Sequence, residues 1–376
     1  MYMTTVKTNK MSRMLCVFLG IVYLISVAAT TFTSSGGFQS DGLQKLPRYV
    51  LNLDLPEEDR WQPILKHWDA ELYRKTVESM LSKFSSNETA ALIEVIGEEI
   101  EKYLPSPYAG EIRGIAKHFK LKVGEMVFVN IFYDVSVGCT SIVAQDSQGS
   151  IWHGRNMDYS NSPTLRNLSV IVDFQSNGKT LYTSTTFLGQ TGTFTGQRPN
   201  AFTVSFNQRN QGTLVEDIIQ IFKALINDRT VFTSFQIRDV LSRKDTVSFE
   251  PALQRLANVP QTAPNYFIIG GMQPEEGAVV TKGRLKAVDV WKLNSTEGRW
   301  FLLETNYDHW MAPPEKDDRR DPGNKAMNAT GSKVIDLSHL LEVLSIPLVC
   351  NRNTIYTTLM SAAHPGSFVS YYRHCK

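Results

Sequence analysis

The sequence predicts an α+β fold in which helices come first and strands take over at Cys139. Three observations carry this. Before Cys139, apolar residues recur at helical spacing, as in Leu92, Ile96, Ile100 and Leu104. After it come short β-capable runs bounded by turn residues, with Asn177-Gly178 as the strongest hairpin signal. Helical stretches sit between those runs, and sheets with helices on their faces are the expected solution for such a mixture.

The elements follow in chain order. Lys7, Lys10 and Arg13 precede the apolar stretch Leu15 to Ala29, which ends in Val27-Ala28-Ala29. A basic start, an apolar segment of about 15 residues and small residues before a cut after Ala29 predict a signal peptide over 1–29. A membrane span needs about 20 apolar residues, so a permanent anchor is the weaker reading; Met11 is an alternative start. Trp61 to Phe84, Glu88 to Leu104 (ended by Pro105), Glu111 to Phe119 and Val123 to Val135 read as helices. Strands are expected over Leu168 to Phe174, Thr180 to Phe187, Phe202 to Phe206, Tyr266 to Ile269, Val279 to Thr281, Val288 to Leu293 and Trp300 to Thr305. Leu214 to Ile226, Phe235 to Ser242 and Pro251 to Ala257 are the intervening helices.

Composition fits a globular chain with a large core: 376 residues, 42% hydrophobic and 20% charged. A net charge of +2 and a pI near 8.2, with no basic block interleaved with aromatics, argue against a nucleic-acid partner. No cluster of metal-ligand spacing is present, and no cofactor is expected. Four acceptor sequons, at Asn87, Asn167, Asn294 and Asn328, agree with an exported chain. Removal of the signal removes Cys16 and leaves Cys139, Cys350 and Cys375. An odd count suggests one pair and one free thiol. Cys350 and Cys375 share the C-terminal stretch and can pair, leaving Cys139 free; the alternative is that Cys139 pairs and no nucleophile exists.

Cys139 holds the most informative position. The run Cys139 to Asp146 and the run Ile151 to Tyr159 flank the turn chemistry of Asp146-Ser147-Gln148-Gly149 and read as a hairpin. A turn centred between Ser147 and Gln148 sets Cys139 opposite Asn156, with the thiol beside Arg155 and Asp158. A guanidinium favours thiolate, and a carboxylate can orient a proton carrier. The competing reading is a buried structural cysteine, the commoner fate of a free thiol. Farther on, Asn306 follows an apolar strand; it is either a turn residue or an amide donor to an oxyanion. Asp317-Asp318-Arg319-Arg320 is ordinarily a solvated cluster, although in a pocket Arg319 can steady Asp158. His153, by hairpin alternation, falls on the other face from Asn156, and both it and His309 are read as structural.

The runs Cys139 to Asp146, His153 to Asp158, Thr305 to Trp310, Asp317 to Arg320, Asn328 to Gly331 and Ile355 to Ser361 closely resemble the N-acylethanolamine acid amidase family. With variations they also resemble acid ceramidases and, more distantly, bile salt hydrolases and penicillin V acylases. The resemblance spans essentially the whole mature chain. It implies an N-terminal nucleophile hydrolase with a four-layer αββα sandwich, made as a lysosomal proenzyme. It implies self-cleavage between Gly138 and Cys139, giving a helical α-subunit (30–138) and a catalytic β-subunit (139–376) that stay together as a heterodimer. The freed amine of Cys139 would then serve as base for its own thiol. Asp158 would orient that amine, Arg155 would favour thiolate, and Asn306 with a backbone N–H near Gln208 would hold the oxyanion. Gln208 stands where the family often has glutamate. An ordinary α-amine is mostly protonated at pH about 5, so either burial and Arg155 lower its pKa or a thiolate–ammonium pair reacts.

The implied substrate is a fatty acyl amide with a small polar head, such as palmitoyl ethanolamide. The short Asp158-to-Leu168 connection and His309, where ceramidases tend to carry Arg, favour the amidase. The alternatives are an acid ceramidase and a non-catalytic lipid-binding member of the fold. An exposed part of the apolar stripes touching membrane is a further expectation of the same reading.

Overall fold

The computed structural model describes residues 43–82, 101–102, 104–132, 138–159, 162–209 and 231–376. The signal segment, Asn87 and the expected helices at 88–104 (mostly) and 214–226 therefore lie outside the described residues. Within them, no helix is long and apolar enough to cross a membrane.

Among the described residues before Cys139, a strand comes first and helices follow. β1 (Arg48–Asn52) pairs in parallel with β4 (Ser169–Ser176), and Arg48 forks onto Asp173 at 2.7 and 2.8 Å. Its alternate residues are exposed, as on an edge strand, and so it lacks the apolar run that marks a buried one. The expected helix from Trp61 is two pieces, α1 (Gln62–Leu65) and α2 (Ala70–Ser82). α3 (Tyr108–Phe119) and α4 (Val123–Phe132) follow at close to the expected ranges.

β2 (Gly138–Gln145) and β3 (Ile151–Asp158) form the expected hairpin, but the register differs by one residue: Cys139 faces Met157, and Thr140 faces Asn156. The cause lies in the turn. Gly149 adopts φ +91°, and the Asp146 N–H donates to Ser150 O at 3.0 Å, so the loop holds three residues rather than two. The hairpin of β4 and β5 (Lys179–Phe187) turns at Asn177 and Gly178, both at positive φ, as the sequence predicts.

The short connection between β3 and β4 carries a helix, α5 (Ser162–Leu168). The strands β6 (Thr195–Arg198), β7 (Phe202–Gln208), β8 (Asn265–Gly270), β9 (Gly277–Lys282) and β10 (Ala287–Lys292) complete an eight-stranded sheet. Its order is β1-β4-β5-β6-β7-β8-β9-β10. The second sheet has the order β11-β2-β3-β12-β13, with β11 (Phe301–Glu304), β12 (Thr354–Met360) and β13 (Val369–Tyr372) around the hairpin.

Strand alternation explains how the sheets stack. On β2, Ile142 and Ala144 join Leu340, Leu344 and Leu359 in a core beneath α8 (Arg320–Thr330) and α9 (Leu337–Val343). Val143 points the other way, into a core with Ile268, Val279 and Leu302 between the sheets. The outer face of the large sheet is covered by α6 (Thr233–Ser242) and α7 (Phe249–Asn258). The helices before Cys139 extend that layer, with Tyr108 stacked on Phe235 at 3.7 Å. The result is four layers, helix–sheet–sheet–helix. Glu111 ties the N-terminal helices to the rest: fully buried, it accepts both Arg238 Nη atoms at 2.6 Å and Trp61 Nε1 at 2.8 Å.

Candidate active site

The shifted register decides what meets the thiol. Cys139 is fully buried and shares its face with Arg155, whose Nη2 donates to Sγ at 2.8 Å. Arg155 is itself fixed from both sheets, donating to Phe206 O at 2.8 Å, Phe194 O at 3.3 Å and Thr195 Oγ1 on the large-sheet side and to Tyr356 Oη of β12 in the small sheet at 3.2 Å. Asp158 does not meet the thiol as expected. It pairs with Gly138 and turns to the opposite face, where Thr354 Oγ1 donates to it at 2.7 Å and Arg319 Nη1 at 3.0 Å.

Arg319 is the hub of that second face. Nη1 also donates to Cys139 O at 2.8 Å, and Nη2 donates to Asn306 Oδ1 at 2.7 Å. Asp317 steadies the guanidinium through Nε at 2.6 Å and Nη2 at 2.8 Å. The ordinary reading of the Asp317-to-Arg320 cluster as solvated is thus overturned for Arg319 and Arg320, which are 6% and 8% exposed. Asn306 Oδ1 accepts the Cys139 N–H at 3.0 Å, and its Nδ2 donates to the Gln208 carbonyl at 2.8 Å.

Cys139, Arg155, Asp158, Asn306, Arg319 and Gln208 are therefore brought into one connected set. Sequence reasoning did not single out Thr354, Asp317 or Tyr356. Thr354 reaches Asp158 only through the pairing of β12 with β3, a contact between residues 196 apart that leaves no local signal. Cys350 and Cys375 are joined as a disulfide with Cα atoms 5.6 Å apart, and Cys139 is free. Of the acceptor sequons, Asn167 and Asn328 are exposed and Asn294 is half-buried.

Residues 139–334 match the family model described as linear amide C–N hydrolases, choloylglycine hydrolase family. This match begins at Cys139 itself. The chain belongs to this family of linear amide C–N hydrolases. A second family model, described as the beta subunit of N-acylethanolamine-hydrolyzing acid amidase, matches residues 44–123, which lie within the expected α-subunit, 30–138. Among individual proteins, this linear amide hydrolase is 42% identical to the N-acylethanolamine-hydrolyzing acid amidase of Oryctolagus cuniculus, over 90% of this chain and 93% of that one. It is 35% identical to the acid ceramidase of Homo sapiens over 88% and 87% of the two chains. Its fold resembles the Caenorhabditis elegans N-acylethanolamine-hydrolyzing acid amidase ortholog, with a TM-score of 0.55, 36% identity and coverage of 61% of this chain and 95% of that one.

Electrostatics in this hydrolase are governed by burial. In the single chain, burial raises the Cys139 pKa and the Arg155 charge only partly offsets it. Arg155 thus favours thiolate, as expected, while burial opposes it more strongly. Burial likewise raises Asp158, with Arg319 as the opposing charge. His153 faces the inter-sheet side together with Cys139, not away from it; the one-residue register shift is the reason. Its ring nitrogens lie 2.9 Å from Thr203 Oγ1 and 3.0 Å from Ser205 Oγ, and burial pushes its pKa down to about 3. It is a neutral structural histidine. His309 stacks on Trp291 at 4.2 Å. A cavity of about 420 Å³ lined by Glu58, Asp59, Gln62, Lys117 and His118 shares no residue with this constellation.

One buried acid gives the fold a pH dependence. Glu304 accepts the Thr305 N–H at 2.9 Å, its Oε2 has no partner among the described residues, and burial pushes its pKa up to about 8. Its folded pKa exceeds the unfolded value, so it is neutral in the native state while the unfolded chain ionises. Stability is therefore lost progressively as pH rises from about 4.5 towards 8, a cost on the order of 4 kcal/mol at pH 7.5 against about 1 kcal/mol at pH 5. Glu304→Gln is expected to raise Tm markedly at pH 7.5 and little at pH 5. An equal gain at both values would mean that Glu304 does not titrate in this window. His153 runs oppositely, since a buried neutral histidine costs stability below pH 6.5.

Proposed function

We propose that the chain is a proenzyme that cuts itself between Gly138 and Cys139 and then, in an acidic lysosomal compartment, hydrolyses N-acylethanolamines to fatty acid and ethanolamine. The observation that carries this reading is the position of Cys139: it begins the linear amide hydrolase match and its thiol, carbonyl and amide N–H are each held by a separate side chain. In the precursor the thiol attacks the Gly138 carbonyl. The Gly138–Cys139 C–N bond breaks, the acyl group passes to sulfur, and the thiol proton leaves on the new amine. Water then hydrolyses the thioester, freeing the Gly138 carboxylate and the thiol.

In turnover the α-amine of Cys139 takes the thiol proton and later gives it to the departing ethanolamine, so no histidine is required. Arg155 steadies the sulfur as its charge grows. Arg319 and Asp158 hold the Cys139 backbone and its amine. Asn306 Nδ2, with a backbone N–H near Gln208, stabilises the tetrahedral oxyanion, a contribution of roughly 3 kcal/mol per donor. If the Gln208 main chain serves, glutamate in its place is not needed.

The amidase reading is preferred over the ceramidase reading on identity, 42% against 35%. Purified mature protein is expected to hydrolyse palmitoyl ethanolamide at pH 5 with kcat/KM at least tenfold above a matched ceramide, a difference of about 1.4 kcal/mol that a few contacts can supply. The same pair run at pH 7.5 gives the pH dependence. A faster ceramide reaction would move the assignment to acid ceramidase. Binding of both lipids without turnover would make the chain a lipid carrier.

A further inference from the structure

Two stretches of chain run side by side beneath the proposed oxyanion position: the end of β7 and the residues following β11. Three consecutive residues of the first each grip the second. Asn207 Nδ2 donates to the carbonyls of Glu304 and Thr305, at 2.9 Å each. Gln208 O accepts from Asn306 Nδ2 at 2.8 Å. Arg209 closes the ladder, donating from Nε and Nη2 to the two oxygens of Asp308 at 2.7 and 2.8 Å. Tyr266 Oη adds a third bond to Asp308 Oδ1 at 2.7 Å.

The Arg209–Asp308 pair is buried, with side chains 7% and 3% exposed, and neither residue has a part in the chemistry above. A buried ion pair roughly breaks even in stability against apolar residues of similar volume. What it adds is geometry, because a bidentate guanidinium–carboxylate contact fixes distance and orientation together. Here that geometry bounds the Gln208–Asn306 rung on its outer side. Without it, that rung would end a fraying ladder.

We propose that Arg209 and Asp308 are positioning residues for amide hydrolysis, their ion pair clamping the stretch after β11 against β7 and so setting where Asn306 Nδ2 and the Gln208 backbone meet the oxyanion. The inference rests on the oxyanion role proposed for Asn306. Displacements of about 1 Å at a reacting centre can cost about a hundredfold in rate, and loss of the clamp acts on the transition state rather than on substrate binding.

The test is a double-mutant cycle on the mature enzyme with palmitoyl ethanolamide. Asp308→Asn, which leaves an acceptor for Tyr266 but removes the charge pair, is expected to lower kcat by about 10- to 100-fold with KM changed by less than about threefold. In an Asn306→Ala background the same substitution should cost less than about threefold more, since its route of action is already gone. An equal loss in both backgrounds, or an unchanged kcat in Asp308→Asn, overturns the proposal. Where Asp308→Asn yields no mature protein, Arg209→Lys keeps the charge and loses the fork; wild-type kcat there overturns it equally. A wild-type rate in Asn306→Ala alone strikes the oxyanion role itself. An impaired Asn306→Ala with additive losses strikes only the clamp.

Discussion

Cys139→Ala is expected to remain a single chain on acidification and to show no amide turnover, because one thiol performs both reactions. In the unsubstituted protein, cuts after Ala29 and Gly138 leave 109 and 238 of the 376 residues, about 12 and 27 kDa before glycans on a total of 42.4 kDa. Acidification should produce both bands, and N-terminal sequencing of the larger should begin at Cys139. A different first residue would sink the mechanism, since the amine that serves as base exists only after that cut. Cys139→Ser sharpens the experiment. Its hydroxyl fits the site but is a weaker nucleophile at its ordinary pKa, so slow self-cleavage with far slower turnover is expected.

The composition of this site was partly readable from sequence, and the geometry much less so. Hairpin signals depend on residues within a few positions of one another. Accordingly the Asn177-Gly178 turn came out as expected, while the turn at Gly149 needed one more residue than its sequence suggested. That single residue reversed the parity of the strand pair. It moved Asp158 from the thiol to the backbone face and brought His153 onto the thiol's side. The type of each side chain survived the error; the neighbour each one meets did not.

Arg319 illustrates the other limit. In sequence it belongs to a cluster of acidic and basic residues that ordinarily faces water, and only the packing of α8 over the small sheet buries it beside Cys139 and Asp158. β1 carries no local strand signal for a similar reason. An edge strand keeps polar and exposed residues, and its partner β4 lies more than a hundred positions away. The helical stripes before Cys139, by contrast, were recognisable, and Ile112, Ile115, Phe119, Met126 and Val127 are buried core as periodicity implies.

Asn306 allows the two faces of the site to be separated by substitution. Its Oδ1 accepts from the Cys139 N–H and from Arg319, which are precursor and positioning contacts. Its Nδ2 is the donor proposed for the oxyanion. Asn306→Ala removes both functions. It is expected to fold, to mature slowly and to lose about 10²- to 10³-fold in kcat, the usual effect of deleting one oxyanion donor. Asn306→Asp keeps the acceptor for Cys139 and Arg319 while removing the donor and adding negative charge where the oxyanion would form. Maturation of Asn306→Asp should therefore exceed that of Asn306→Ala, whereas its turnover should be at least as poor. Recovery of hydrolysis together with maturation in Asn306→Asp would show that Asn306 works only through its carbonyl oxygen, and the oxyanion donor would have to be sought in the backbone at Gln208.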